Sequence, residues 1–264
     1  MSCSDHISLY VKSASLVDAS SLLASRLISY IDLTSLGDSD TEPMINSLCE
    51  KAITPYGPVA AVCIYPQFVK FAVTQLANTR VHIATVVNFP HGQDSSDKVV
   101  GDIKQAIAEG ANEIDMVFPY SRFLSGDKNY ATHLIQQCKA ACGKKRLLKV
   151  ILETGALESL EIIAEITRVA ILAGADFVKT STGKIPIGAT LEAAATILLV
   201  MKALQPEVKH LLGFKVSGGV RELLQAAQYI YLANDIMGDN WVSSRIFRVG
   251  ASQLLDKALA TPMI

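Results

Sequence analysis

Gly110-Ala111-Asn112 and Gly174-Ala175-Asp176 are the two stretches whose reading decides the fold. Each closes a long amphipathic segment and opens a short apolar one. Glycine suits the left-handed position at which helices end, so the two mark the same helix-to-strand connection in two different units. Outward from them the pattern recurs along the chain: short apolar runs alternate with amphipathic stretches, as in βα units of a parallel sheet. Strands are predicted at Leu27–Leu33, Val59–Ile64, Val81–Val87, Glu113–Phe118, Leu147–Leu152, Asp176–Lys179, Leu211–Lys215 and Ile246–Val249, with helices between them such as Ser95–Glu109, Ser159–Ala173 and Leu191–Leu204. A further helix is expected ahead of the first strand, over Ser15–Arg26.

Such an alternation fits a closed barrel or an open, doubly wound sheet. The open sheet more often carries a glycine-rich fingerprint after its first strand, and none stands here. The repeated connection favours one α/β domain over residues 1–264, a (β/α)8 TIM barrel with an extra N-terminal helix. A length of 264 residues is ordinary for that fold.

Half of the residues are hydrophobic and 19% are charged, below the usual share of about 25%. That balance suits strands covered on both faces. The formal net charge is −1, which argues against a nucleic-acid or membrane-surface partner. No uncharged stretch is long enough to span a bilayer. The first residues do not read as a signal peptide. Five cysteines at irregular spacing do not read as a disulfide framework. Cys138 and Cys142 share a helix face, but no second pair has zinc-finger spacing. His82, His91, His133 and His210 are scattered and His6 falls in what reads as a mobile terminus, so no metal and no cofactor is expected. A reduced, cytoplasmic enzyme or binding protein for a small molecule is the class that remains.

In a (β/α)8 barrel the chemistry gathers at the C-terminal ends of the strands. Those ends carry Asp32 and Thr34, Cys63, Asn88, Asp115, Glu153, Lys179 and Lys215. Lys179 and Lys215 end neighbouring strands. Desolvation lowers a lysine pKa and a second cation lowers it further, and a neutral amine can attack a carbonyl to form a Schiff base. Either lysine could instead snorkel to solvent. Asp115 lies between apolar neighbours, where a carboxylate needs a partner or a proton. It could move protons or pair with Lys149. Gly218-Gly219 and Gly250-Ala251-Ser252 follow the last two strands, and backbone N–H groups there suit a phosphate, although a tight turn would also use the glycines. Gly183-Lys184 is not a nucleotide P-loop, because Val178 stands where that motif needs its first glycine. Cys63 has no histidine partner in sight and reads as a pocket wall. Asn88-Phe89-Pro90-His91-Gly92 reads as a structural loop at the same end.

Seven segments together resemble the deoxyribose-phosphate aldolase family: Ile31–Thr34, Val62–Pro66, Asn88–Gly92, Glu113–Pro119, Leu148–Gly155, Phe177–Lys184 and Gly213–Arg221. Lys179-Thr180-Ser181-Thr182-Gly183 followed by Gly213-Phe214-Lys215 and Gly218-Gly219 is the most specific part. The resemblance implies a metal-independent, class I lyase of deoxyribonucleoside catabolism. It would reversibly cleave 2-deoxy-D-ribose 5-phosphate into D-glyceraldehyde 3-phosphate and acetaldehyde. It also implies Lys179 as the Schiff base, Lys215 as the pKa-lowering cation and proton relay, and Asp115 as the proton donor and acceptor. Asp32, Thr34, Cys63 and Lys184 would line the substrate site. Gly183, Gly218, Gly219, Gly250 and Ser252 would hold the phosphate. A homodimer is the assembly common in the family.

Two departures stand out. Gln253 follows Ser252 where a second serine is common, and the sequence closes on Pro262-Met263-Ile264 rather than the terminal tyrosine of some members. Weaker phosphate affinity or slower proton exchange is the expected consequence. The alternatives are another Schiff-base sugar-phosphate aldolase of the transaldolase kind, and a non-catalytic phosphosugar-binding barrel.

Overall fold

A computed structural model describes residues 3–18 and 24–260 of the chain. Eight parallel strands close into a barrel: β1 (Ile31–Thr34), β2 (Ala61–Ile64), β3 (His82–Val87), β4 (Glu113–Val117), β5 (Leu147–Ile151), β6 (Phe177–Lys179), β7 (Gly213–Ser217) and β8 (Phe247–Ala251). Each strand pairs with its sequence neighbour, and β8 pairs with β1 to complete the ring. The helices are α1 (Cys3–Ser15), α2 (Ala24–Ile28), α3 (Glu42–Lys51), α4 (Val69–Gln75), α5 (Ser96–Glu109), α6 (Tyr120–Leu124), α7 (Lys128–Cys142), α8 (Leu160–Leu172), α9 (Leu191–Leu204), α10 (Leu223–Met237) and α11 (Leu254–Ala260). None among the described residues is long and apolar enough to cross a membrane.

The eight predicted strands are the eight barrel strands, with ends shifted by a few residues. Local chemistry sets the helix ends. Ser95, Ser159 and Thr190 each accept a bond from a backbone N–H in the first turn of α5, α8 and α9, satisfying a donor the helix itself leaves unmet. Gly110 and Gly174 both take φ of +111°. The two connections that open the sequence reading thus share one backbone solution.

The N-terminal region differs from expectation. The extra helix is present over Cys3–Ser15, where it takes in His6; of the expected Ser15–Arg26 span, Ser15 and, within α2, Ala24–Arg26 are helical among the described residues. Leu16–Asp18 is not helical, and residues 19–23 of the expected helix lie outside the described residues. Leu27 and Ile28 belong to α2, not to the first strand. A short apolar run serves a buried helix turn as well as a strand, and here the run is divided between the two. A two-residue hairpin pairing Ile53–Thr54 with Gly57–Pro58 was not foreseen.

Period-two alternation gives every barrel strand two faces. The outward face is apolar: Ile114, Met116, Leu148, Val150, Phe214, Val216, Phe247 and Val249 join one continuous core with the helices. The inward face is split. On β2 and β3 it is small and apolar, with Ala61, Cys63, Ala84 and Val86 forming a separate cluster. On β1 and β4 to β8 it carries charge. Cys49, Cys63, Cys138 and Cys142 are buried free thiols.

Candidate active site

The register of the strands assembles the lumen. Asp115 lies beside Lys149 across β4–β5, and Lys179 beside Lys215 across β6–β7. Lys215 in turn neighbours Arg248 on β8. Seven charged side chains meet there: Lys149, Lys179, Lys215 and Arg248 against Asp32, Glu113 and Asp115. All are buried. Arg248 forks onto Asp32 Oδ1 at 2.7 Å and Glu113 Oε1 at 3.0 Å. Lys149 reaches Glu113 at 2.6 Å, Asp115 at 2.7 Å and Asp32 at 3.6 Å. Lys215 lies 2.5 Å from Asp32 Oδ2, a close ion pair without hydrogen-bond alignment, and 2.8 Å from Asp115 Oδ2. Among the described residues Lys179 touches one carboxylate, Asp115 Oδ2 at 2.9 Å, and interacts with the charge of Glu153 without contact.

Four cations face three carboxylates, and an uncompensated buried charge is costly. The cheapest relief is for one lysine to lose its proton. The lysine with a single carboxylate contact is the one whose pKa is lowered. Burial lowers the pKa of Lys179 from the ordinary lysine value and Lys215 lowers it further, against the pull of Asp115. Burial also opposes the charge on Lys215 and Lys149, yet Asp115 and the other carboxylates hold Lys215 well above the ordinary range and raise Lys149 too. Burial works equally against the three carboxylates. The cations nonetheless keep Asp32 low and Glu113 and Asp115 well below their ordinary values. Cys63 Sγ sits 3.9 Å from Asp115 Oδ2, and burial pushes its thiol pKa up. It is a neutral wall.

Above the lumen the loops after β6 and β7 are laced together. Thr180 Oγ1 donates to the Ser217 carbonyl at 2.9 Å and accepts from Ser217 N–H at 3.0 Å. Ser217 Oγ donates to the Ser181 carbonyl. Glu153, buried with φ of +58°, receives both the hydroxyl and the N–H of Thr182. Gly183, Gly218 and Gly219 all have positive φ, and a side chain on Gly183 would lie 3.8 Å from Gly218 Cα. Gly250 leaves room for the Lys215 stem, because a Cβ there would fall 3.0 Å from Lys215 Cε.

The structure therefore brings Lys179, Lys215, Asp115, Cys63 and Asp32 together in one lumen. Thr34 is partly buried and bonds its own strand at the Asp32 carbonyl. Asp32 differs from a solvent-facing substrate contact: it is fully buried, and its two oxygens face Arg248 and Lys215. Lys184 stands at the mouth, 3.1 Å from Asp38 and 6.0 Å above the Tyr65 ring. Ser252 and Gln253 are exposed where β8 leads into α11. Pro262-Met263-Ile264 lie outside the described residues. The Asn88 loop is structural, its amide donating to Val117 O at 2.8 Å and accepting from Asp94 N–H at 2.9 Å.

Sequence reasoning missed Glu113, Arg248 and His82, whose Nδ1 donates to Glu113 Oε1 at 2.7 Å. The signal was available. Glu113 is two residues before Asp115 and Arg248 two before Gly250, so period two puts each pair on one face.

A family model described as DeoC/LacD family aldolase matches residues 26–238. A protein of Coccidioides immitis, described as a candidate deoxyribose-phosphate aldolase, is 29% identical with a TM-score of 0.77; the match covers 97% of this chain and 96% of that one. QR15, described as an aldolase, is 29% identical with a TM-score of 0.75, covering 88% and 94%. A candidate deoxyribose-phosphate aldolase of Toxoplasma gondii ME49 shares the fold at a TM-score of 0.80 and 24% identity, covering 89% and 93%.

Proposed function

The chain belongs to the DeoC/LacD family of aldolases, and from that premise we propose that it cleaves 2-deoxy-D-ribose 5-phosphate reversibly through a Schiff base on Lys179. The observation that carries this reading is the lumen charge count, which leaves Lys179 the lysine held below its ordinary pKa.

The neutral Lys179 amine attacks the C1 aldehyde of the open-chain sugar. The carbinolamine takes a proton on its hydroxyl and loses water, leaving a cationic iminium. The C3 hydroxyl gives up its proton, the C2–C3 bond breaks, and its electron pair flows into the iminium. D-glyceraldehyde 3-phosphate departs and an enamine remains. Protonation of that enamine at C2 and addition of water release acetaldehyde and restore the amine.

Lys215, held well above its ordinary pKa, keeps its charge, and that charge disfavours a proton on Lys179 beside it. Asp115 bridges the two amines through one oxygen. Ionised at rest, Asp115 relays a proton from water to the carbinolamine hydroxyl and later hands the enamine the proton it takes from the C3 hydroxyl; a carboxyl held far below its ordinary range releases each readily. Taking the C3 hydroxyl proton is its harder half-step. Gly183, Gly218, Gly219, Gly250 and Ser252 form the proposed phosphate cradle, with Lys184 at the rim and Thr34 and Cys63 along the wall. Asp32 acts on substrate through Lys215, whose ammonium it faces. The protein works without a cofactor or metal, in the cytoplasm, as one catalytic domain in a homodimer.

Product analysis tests the substrate. Incubation with 2-deoxy-D-ribose 5-phosphate is expected to release acetaldehyde and D-glyceraldehyde 3-phosphate in equal amounts. Cleavage of another sugar phosphate with none of this one would overturn the assignment.

A further inference from the structure

A cavity of about 620 Å³ opens at the end of the barrel opposite the Schiff-base site. It is lined by residues at the N-terminal ends of the strands and the loops before them, among them Arg80, His82, Phe177, His210, Arg245 and Arg248. That volume falls within the roughly 300–1,000 Å³ of small-molecule sites. Substrate chemistry at the C-terminal mouth does not use it.

The unpaired charge of this lining has one sign. Arg80 and Arg245 are exposed and make no hydrogen bond or ion pair among the described residues. Arg248 is 3% exposed and already committed to Asp32 and Glu113. The carboxylate in the lining, Asp176, is neutralised by Lys139 at 2.5 Å and by the Leu148 N–H at 2.7 Å. His210 is oriented by a 3.1 Å contact from Nε2 to the Ala175 carbonyl. His82 is half exposed, with Nδ1 committed to Glu113. Leu211, 60% exposed, adds apolar surface.

We propose that this cavity is a second ligand site, taking a small organic phosphate with a partly apolar body, the chemistry of a nucleoside monophosphate. Two unpaired guanidinium forks suit the oxygens of a phosphate. Arg248 at the floor balances the charge of Asp32 and Glu113 behind it, and the apolar wall accepts the rest of the ligand. An occupant would lie against His82 and Arg248, both of which hold Glu113. It would therefore adjoin the end of the ion network that leads through Lys149 to Asp115.

The test is a calorimetric titration of the full chain with adenosine 5′-monophosphate and, separately, with inorganic phosphate. The nucleotide is expected to bind with a Kd of about 1 mM or tighter, to bind better than phosphate alone, and to weaken with added salt. In the Arg80→Ala/Arg245→Ala double variant its affinity should fall by about tenfold or more. Both side chains are exposed, so the variant is expected to fold, with circular dichroism as the check. Turnover of 2-deoxy-D-ribose 5-phosphate without nucleotide should stay within about twofold of wild type, as for substitutions away from a site. No binding of the nucleotide, or equal affinity in the double variant, would overturn the proposal.

Discussion

Lys149 and Lys179 lie in one lumen on adjacent strands, yet they face opposite surroundings. Lys149 sits deep, among Asp32, Glu113 and Asp115, and its charge is wanted. Lys179 stands nearer the mouth, in contact with Asp115 among the described residues and beside the ammonium of Lys215, and its charge is disfavoured. Burial is nearly identical for the two, at 0% and 2% exposure. Because burial is shared, what separates the pKa directions of the two lysines is the number of carboxylates within reach.

Substitution should pull the two apart. Lys179→Met is expected to lower turnover by about 10^6-fold, the scale seen when a covalent nucleophile is lost. Its melting temperature should be unchanged or higher, because the cost of burying an amine that burial disfavours charging is gone. Lys149→Met should do the reverse to the fold, lowering stability by about 3–5 kcal/mol, because it strands buried carboxylates. Urea denaturation reads this difference. Equal destabilisation by the two substitutions would contradict the charge count.

Lys215→Met sharpens the same contrast. Without Lys215, three cations remain for three carboxylates, so Lys179 is drawn into its charged form. Activity near neutral pH should fall by about 10^2- to 10^4-fold. The rising limb of the rate–pH profile should move toward higher pH, and an unmoved limb would count against this role.

Two pH effects on stability follow, smaller than these. Asp32, Glu113 and Asp115 have folded pKa values below their ordinary 3.8, 4.5 and 3.8. Their stabilisation is complete above those ordinary values and is lost as pH falls through the lowered ones. Lys179 has the opposite sign. Between its lowered pKa and the ordinary 10.5 the unfolded chain binds more protons, so stability rises with pH in that window. Comparing wild type with Lys179→Met isolates the rise, which only wild type should show. Smallest of all is Lys184→Ala at the exposed rim. It should raise KM several-fold and change stability by no more than about 0.5 kcal/mol.

The barrel was legible because eight apolar runs and two Gly-Ala connections repeat one unit. The meeting of Lys179, Lys215 and Asp115 in one lumen was legible because each ends or interrupts such a run with charge. The position of the first helix was not. Ile7 and Ala14 are buried on its inner side, but the segment around them is too polar overall to stand out, while Leu27-Ile28 reads as strand and folds as helix. Glu113 and Arg248 were hidden for another reason. Period two puts them on one face with Asp115 and Gly250, but strands covered on both faces read as continuous runs in which that alternation stands out little.

Borohydride trapping tests the central claim most directly. Reduction in the presence of 2-deoxy-D-ribose 5-phosphate, followed by mass mapping of peptides, is expected to find one covalent adduct, on Lys179. An adduct on Lys215 or Lys149, or none at all under conditions of turnover, would contradict the assignment of Lys179 as the uncharged lysine of the lumen.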